Sequence, residues 1–128
     1  MDDLEPFRLA GRALFSLGLI HGTEGNLSAF DGRRLLITRT GAALHDLGQD
    51  DVIRGALDDA LTDASSDLSV HRALYRDRGP GAVVHAHPAG TVPEGGGGAG
   101  EHGVYVFAPS LEEAVREAVL AARAGDRA

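Results

Sequence analysis

The run G-A-V-V-H-A-H-P (81–88) sets His85 and His87 two residues apart in a stretch that reads as a β-strand. Alternate side chains of a strand point to one face, about 7 Å apart along it, so two imidazoles so spaced suit a single ion. Asp67 precedes the pair at the start of an expected helix, and His102 follows it in E-H-G (101–103). A third histidine would complete the three-ligand open set of a catalytic zinc. The chain has no cysteine, so any metal ligand must be His, Asp or Glu. The plainer alternative is a strand with two polar side chains on its solvated face. The residues around the pair favour the metal.

The elements that must position these groups form one domain, expected over 1–128. A hydrophobic content of 43% is ordinary for a globular chain. The net charge of −7 argues against nucleic acid and against an anionic membrane surface, both of which need a basic face. An acidic protein can still bind a phosphate locally, through backbone N–H groups, hydroxyls or a metal. M-D-D-L-E-P at the start lacks the basic and apolar regions of a signal peptide, and no apolar run approaches a membrane span. The expected location is the cytoplasm.

Phe7, Ala10, Leu14 and Leu17 recur at helical spacing, predicting an amphipathic helix over 4–18 that Gly18 and Gly22 end. Asp31-Gly32 signals a tight turn before a strand over 33–38. Residues 44–62 carry little pattern, and Asp50, Asp51, Asp58 and Asp59 are expected to face solvent. Ser65-Ser66-Asp67 reads as a helix start, with Gly79-Pro80 as its stop. A strand follows over 81–87, then a glycine-rich loop over 88–101, then a strand over 104–107. Ser110-x-x-Glu113 is a capping box opening a last helix that faces Leu111, Ala114, Val115, Ala118 and Val119 inward. Mixed helices and strands with short connections suggest an α/β or α+β layered fold around one sheet.

Four segments, in order, resemble the class II aldolase/adducin family: G-L-I-H-G-T-E-G-N-L-S (18–28), L-I-T-R-T-G (36–41), S-S-D-L-S-V-H-R-A-L-Y (65–75) with A-V-V-H-A-H-P (82–88), and E-H-G-V-Y-V (101–106). That family includes zinc-dependent fuculose- and rhamnulose-phosphate aldolases, ribulose-phosphate 4-epimerase and methylthioribulose-phosphate dehydratase. The resemblance implies a three-layer α/β/α arrangement around a central, mainly antiparallel sheet with a shortened middle. It implies Zn2+, or another divalent metal, on His85, His87 and His102. It implies a substrate phosphate pocket of Gly25, Asn26, Thr40, Gly41, Ser65 and Ser66, where small residues expose backbone N–H donors and hydroxyls add more. Gly25 and Asn26 could instead be turn residues, and Ser65 a helix cap.

Asp67 aligns with the family's acidic residue beside the metal, as the catalytic base or, with its shorter side chain, as a group that sits on the metal. Aldolases of the family usually carry Glu there, whereas the 4-epimerase pattern carries Asp. His71, one helical turn after Asp67, reads as a core histidine or one that supports a ligand. His21 and His45 read as surface residues, and Glu24 as a solvated loop carboxylate. The implied activity is retro-aldol cleavage of a small phosphorylated sugar, with zinc as Lewis acid for the enediolate. A sugar-phosphate 4-epimerase and a metal-binding, non-catalytic interaction domain are the alternatives. The implied assembly is a homo-oligomer. Family members have several dozen residues between the His-x-His strand and the third His, where this chain has fourteen. The expectation is a metal site with a reduced substrate wall and no evident second acid/base residue.

Overall fold

A computed structural model describes residues 4–21, 24–87 and 103–127. Its helices are α1 (Leu4–Ser16), α2 (Leu68–Arg78) and α3 (Leu111–Arg127); its strands are β1 (Asn26–Phe30), β2 (Arg34–Thr38), β3 (Val52–Ala56), β4 (Gly81–Ala86) and β5 (Val104–Ala108). The strands form a five-stranded sheet in the order β3-β2-β1-β4-β5, with every neighbouring pair antiparallel. The arrangement is the α/β/α one expected, with α1 and α3 against one face and α2 against the other.

Strand alternation divides the interior in two. Leu27, Leu36, Ala82, Val84 and Ala86 pack with Phe7 and Leu14 of α1 and with Leu111, Ala114 and Ala118 of α3. The small side chains of α3 let the helix lie close on the sheet. On the opposite face Leu35 and Val83 pack with Tyr75 of α2, flanked by Phe30, Leu74 and Phe107. His85 is two residues from Val83 and shares its face. The chemistry-bearing strand residues therefore lie under α2.

Two strands depart from the sequence reading. β1 lies where the sequence reading assigned no element and offered only Asn26 as a possible turn residue, and β3 emerges from the weakly patterned stretch after two 3-10 turns, Leu44–Asp46 and Gln49–Asp51. The hairpin at Asp31-Gly32 is present: Gly32 has φ 100°, and Asp31 Oδ1 accepts from the Arg33 and Arg34 N–H groups at 2.8 and 2.7 Å. At the start of α2 the N-cap is Asp67, whose side chain makes no capping bond; Ser65 Oγ accepts the Asp67 N–H at 3.1 Å instead. Gly79, with φ 86°, closes that helix by donating to the Tyr75 carbonyl at 2.8 Å. Ser110 Oγ caps α3 by accepting the Glu113 N–H at 3.2 Å.

Among the described residues no helix is long and apolar enough to cross a membrane.

Candidate functional site

His85 lies on β4 with Asn26 opposite on β1 and Tyr105 opposite on β5. Three side chains from adjacent strands thus meet on one face at one end of the sheet. Asp67, at the head of α2, comes down onto them. Its Oδ2 lies 2.8 Å from His85 Nδ1 and 2.8 Å from Asn26 Nδ2. The Tyr105 ring stacks on that of His85 with centroids 4.0 Å apart and planes at 14°, and its hydroxyl hydrogen-bonds Asp67. The His87 ring centroid is 4.7 Å from that of His85, so the pair is together as the His-x-His spacing requires. His85 is buried and His87 half-buried. His102 lies outside the described residues.

The electrostatics follow from this packing. Burial works to raise the Asp67 carboxyl, but the Asn26 amide, the charge on His85 and the hydrogen bonds from Tyr105 and His85 outweigh it and hold the group below the ordinary carboxylate value. Asp67 is then a carboxylate, an acceptor only, so the nitrogen facing it on His85 must carry a proton. Burial, the negative charge of Asp67 and its hydrogen bond push the Tyr105 phenol up to about 12, which keeps it a donor at neutral pH.

The charge on His85 belongs to the doubly protonated ring; when His85 is neutral, with its one proton on Nδ1 against Asp67, the ring lone pair stands at Nε2. A carboxylate on one ring nitrogen and a metal on the other is how protein zinc ligands are commonly oriented. The donor chemistry of the pair therefore fits a divalent ion preferring nitrogen ligands. Among the described residues no group of three His, Cys, Asp or Glu stands ready to hold a metal.

The residues expected to bind phosphate reach the same end of the sheet. Thr40 N–H donates to the Asp63 carbonyl at 2.9 Å, and Ser65 N–H to the Thr38 carbonyl at 3.0 Å. This lays the segment after β2 beside the segment before α2. Thr40, Gly41 and Ser66 are exposed, whereas Ser65 is buried. Gly25, with φ 83°, leads directly into Asn26; a Cβ there would lie 2.8 Å from the His85 carbonyl oxygen and 2.9 Å from Ile20 Cγ2. Gly25 is thus demanded by turn and close approach, whatever else it does. The Asn26 side chain is buried and committed inward, so an anion at this position would meet main chain.

Sequence reasoning missed Tyr105, Ser28 and Tyr75. Ser28 Oγ lies 2.6 Å from His71 Nδ1 and 2.7 Å from the Tyr75 hydroxyl. His71 Nε2 closes on Asn26 Oδ1, and the ring is wholly buried, the core place that was one of the two expected of it. His21 and Glu24 are exposed. His45 is exposed too, but stacks on Phe15 with centroids 4.3 Å apart.

Residues 7–93 match the family described as Class II Aldolase and Adducin N-terminal domain, and the chain belongs to that family. Among curated relatives it is 35% identical over 82 residues to a "Probable bifunctional methylthioribose-1-phosphate isomerase/methylthioribulose-1-phosphate dehydratase" of Nocardia farcinica, covering 59% of this chain and 15% of that one. It is 32% identical over 88 residues to an L-fuculose phosphate aldolase of Methanococcus maripaludis, covering 66% and 49%. The chain thus spans about half the length of the aldolase, and less of the bifunctional protein. Of solved structures, L-fuculose-1-phosphate aldolase from Thermus thermophilus superposes with a TM-score of 0.62 at 39% identity, covering 69% of this chain and 47% of that one. YgbL from Klebsiella pneumoniae superposes with a TM-score of 0.81 over 95% and 86%, at 23% identity, a likeness of fold alone.

Proposed function

We propose that the chain is a zinc-dependent aldolase-type lyase acting on a small phosphorylated sugar. The observation that carries the reading is the 2.8 Å contact of His85 Nδ1 with Asp67, which would orient the opposite ring nitrogen toward a metal. His85, His87 and His102 would hold the ion. Gly103, which follows His102, supports the third assignment: a Cβ on it would lie 2.0 Å from the Ala86 carbonyl oxygen and 3.1 Å from His87 Cγ. The chain therefore returns to the histidine strand directly after residue 102. Bound there, the ion supplies a Lewis acid for the oxygens of a ketose phosphate.

The remaining work falls to side chains of this protein. Thr40 and Ser66 offer hydroxyl donors to the phosphate, with main chain at Gly25, Asn26, Gly41 and Ser65 beside them. Asp67 orients His85 through Oδ2. The same carboxylate is the base nearest the ligands, and the Tyr105 hydroxyl hydrogen-bonded to it stays protonated and able to donate. Tyr105, within E-H-G-V-Y-V (101–106), thereby offers a proton-bearing group to which the sequence reading gave no role. The aspartate at 67 favours a sugar-phosphate 4-epimerase as second reading, since the resemblance implies Glu for the aldolases.

The test is turnover. Zinc-loaded protein given a panel of ketose 1-phosphates, L-fuculose 1-phosphate among them, should release an aldehyde and dihydroxyacetone phosphate. Epimerisation of pentulose 5-phosphates without cleavage would move the assignment to the second reading. Absence of both from zinc-loaded protein would leave a metal-binding domain without sugar chemistry.

A further inference from the structure

Asp67 terminates a buried string of side chains that the proposed reaction does not use: Tyr75, Ser28, His71 and Asn26. The donor count fixes the direction of every bond in it. The Asp67 carboxylate can only accept, so the Asn26 amide nitrogen faces it and the amide oxygen faces His71. His71 Nε2 must then carry the proton. The ring is wholly buried with no carboxylate in hydrogen-bond contact, and burial drives its pKa down to about 4, so it is neutral and its Nδ1 is bare. Ser28 therefore donates its single proton to Nδ1, and Tyr75 donates to Ser28. Each donor points toward Asp67, which receives a further one from His85 Nδ1. No buried side-chain nitrogen or oxygen among the described residues is left unsatisfied.

A polar string of one polarity, built between strand β1 and helix α2, is more than a space-filling histidine needs. We infer that His71 is a positioning residue for His85, acting through Asn26 on Asp67 and so fixing which imidazole nitrogen of His85 bears the proton. An apolar ring at position 71 would release the Asn26 oxygen. The amide could then rotate away from Asp67, and the carboxylate would lose the partner that keeps Oδ2 on His85. The link to metal affinity rests on the function proposed above; the protonation of His85 is read without metal.

The experiment is 1H–15N NMR of the His85 ring in metal-free protein, with zinc affinity measured separately. Wild type should show a slowly exchanging Nδ1–H on His85. In His71→Phe that resonance should be lost to solvent exchange, and zinc affinity should fall about ten- to a hundredfold, the range for removing a ligand's outer-shell partner. His71→Gln keeps an N–H donor toward Asn26 and should restore the resonance. Ser28→Ala removes the donor that sets the His71 tautomer with minimal loss of volume; it should weaken the same resonance, and it decides the matter if His71→Phe does not fold. An unchanged His85 resonance in folded His71→Phe, or equal loss in the Phe and Gln variants, would overturn the inference. Wild-type protein that binds no zinc would remove the functional reading and leave the NMR result to decide this one.

Discussion

At the scale of single residues the site turns on one carboxylate. Asp67 takes hydrogen bonds from His85, Asn26 and Tyr105, so Asp67→Asn removes both the proposed base and the charge that polarises His85. Turnover should fall at least about a hundredfold, the scale of a lost general base, and zinc affinity should drop as well; steady-state kinetics with a zinc titration would separate the two. His71 gives a pH signature. Its folded pKa of about 4 lies below the ordinary 6.5, so the unfolded chain binds this proton first as pH falls. The stabilisation is complete above about pH 6.5 and is lost progressively toward pH 4, on the order of 3 kcal/mol in all. Denaturation followed across that window should show this slope in wild type and lose it in His71→Gln. The sequence made the histidine pair and Asp67 legible because their spacing is local. It concealed Tyr105, Ser28 and Tyr75, whose meeting with the site depends on strand register and on how α2 docks.

At the scale of elements, the helices and the histidine strand were readable because their apolar residues recur with a clear period. β1 was not, because Asn26 and Ser28 occupy buried positions on one of its faces where a strand pattern calls for apolar residues; both are hydrogen-bonded in the polar cluster under α2. β3, V-I-R-G-A, is an edge strand whose arginine and glycine break the alternation. α1 illustrates how tightly the elements fit. A Cβ on Gly11 would lie 1.9 Å from the Leu44 carbonyl oxygen, so the helix lies directly on the 3-10 turn at Leu44–Asp46. Gly11→Ala should cost about 1–3 kcal/mol through overpacking, despite alanine's better helix propensity. Urea unfolding of the variant checks this, and a gain in stability would show that the helix does not sit against the turn.

At the scale of the whole molecule, Leu9, Phe15, Leu17 and Leu120 are exposed, and β3 and β5 stand at the edges of the described sheet. Such features suit contact between copies, and light scattering at micromolar concentration should report a homo-oligomer; a monomer would remove that expectation. The proposed metal centre joins His85, His87 and His102. Its most direct test is the metal content of protein purified without chelator, set beside His87→Ala prepared identically. The expected result is about one zinc, or another divalent ion, per chain in wild type, a melting temperature that rises when zinc is restored to stripped protein, and loss of both in the variant. Wild type with no stoichiometric metal, and a melting temperature indifferent to added zinc, would contradict it.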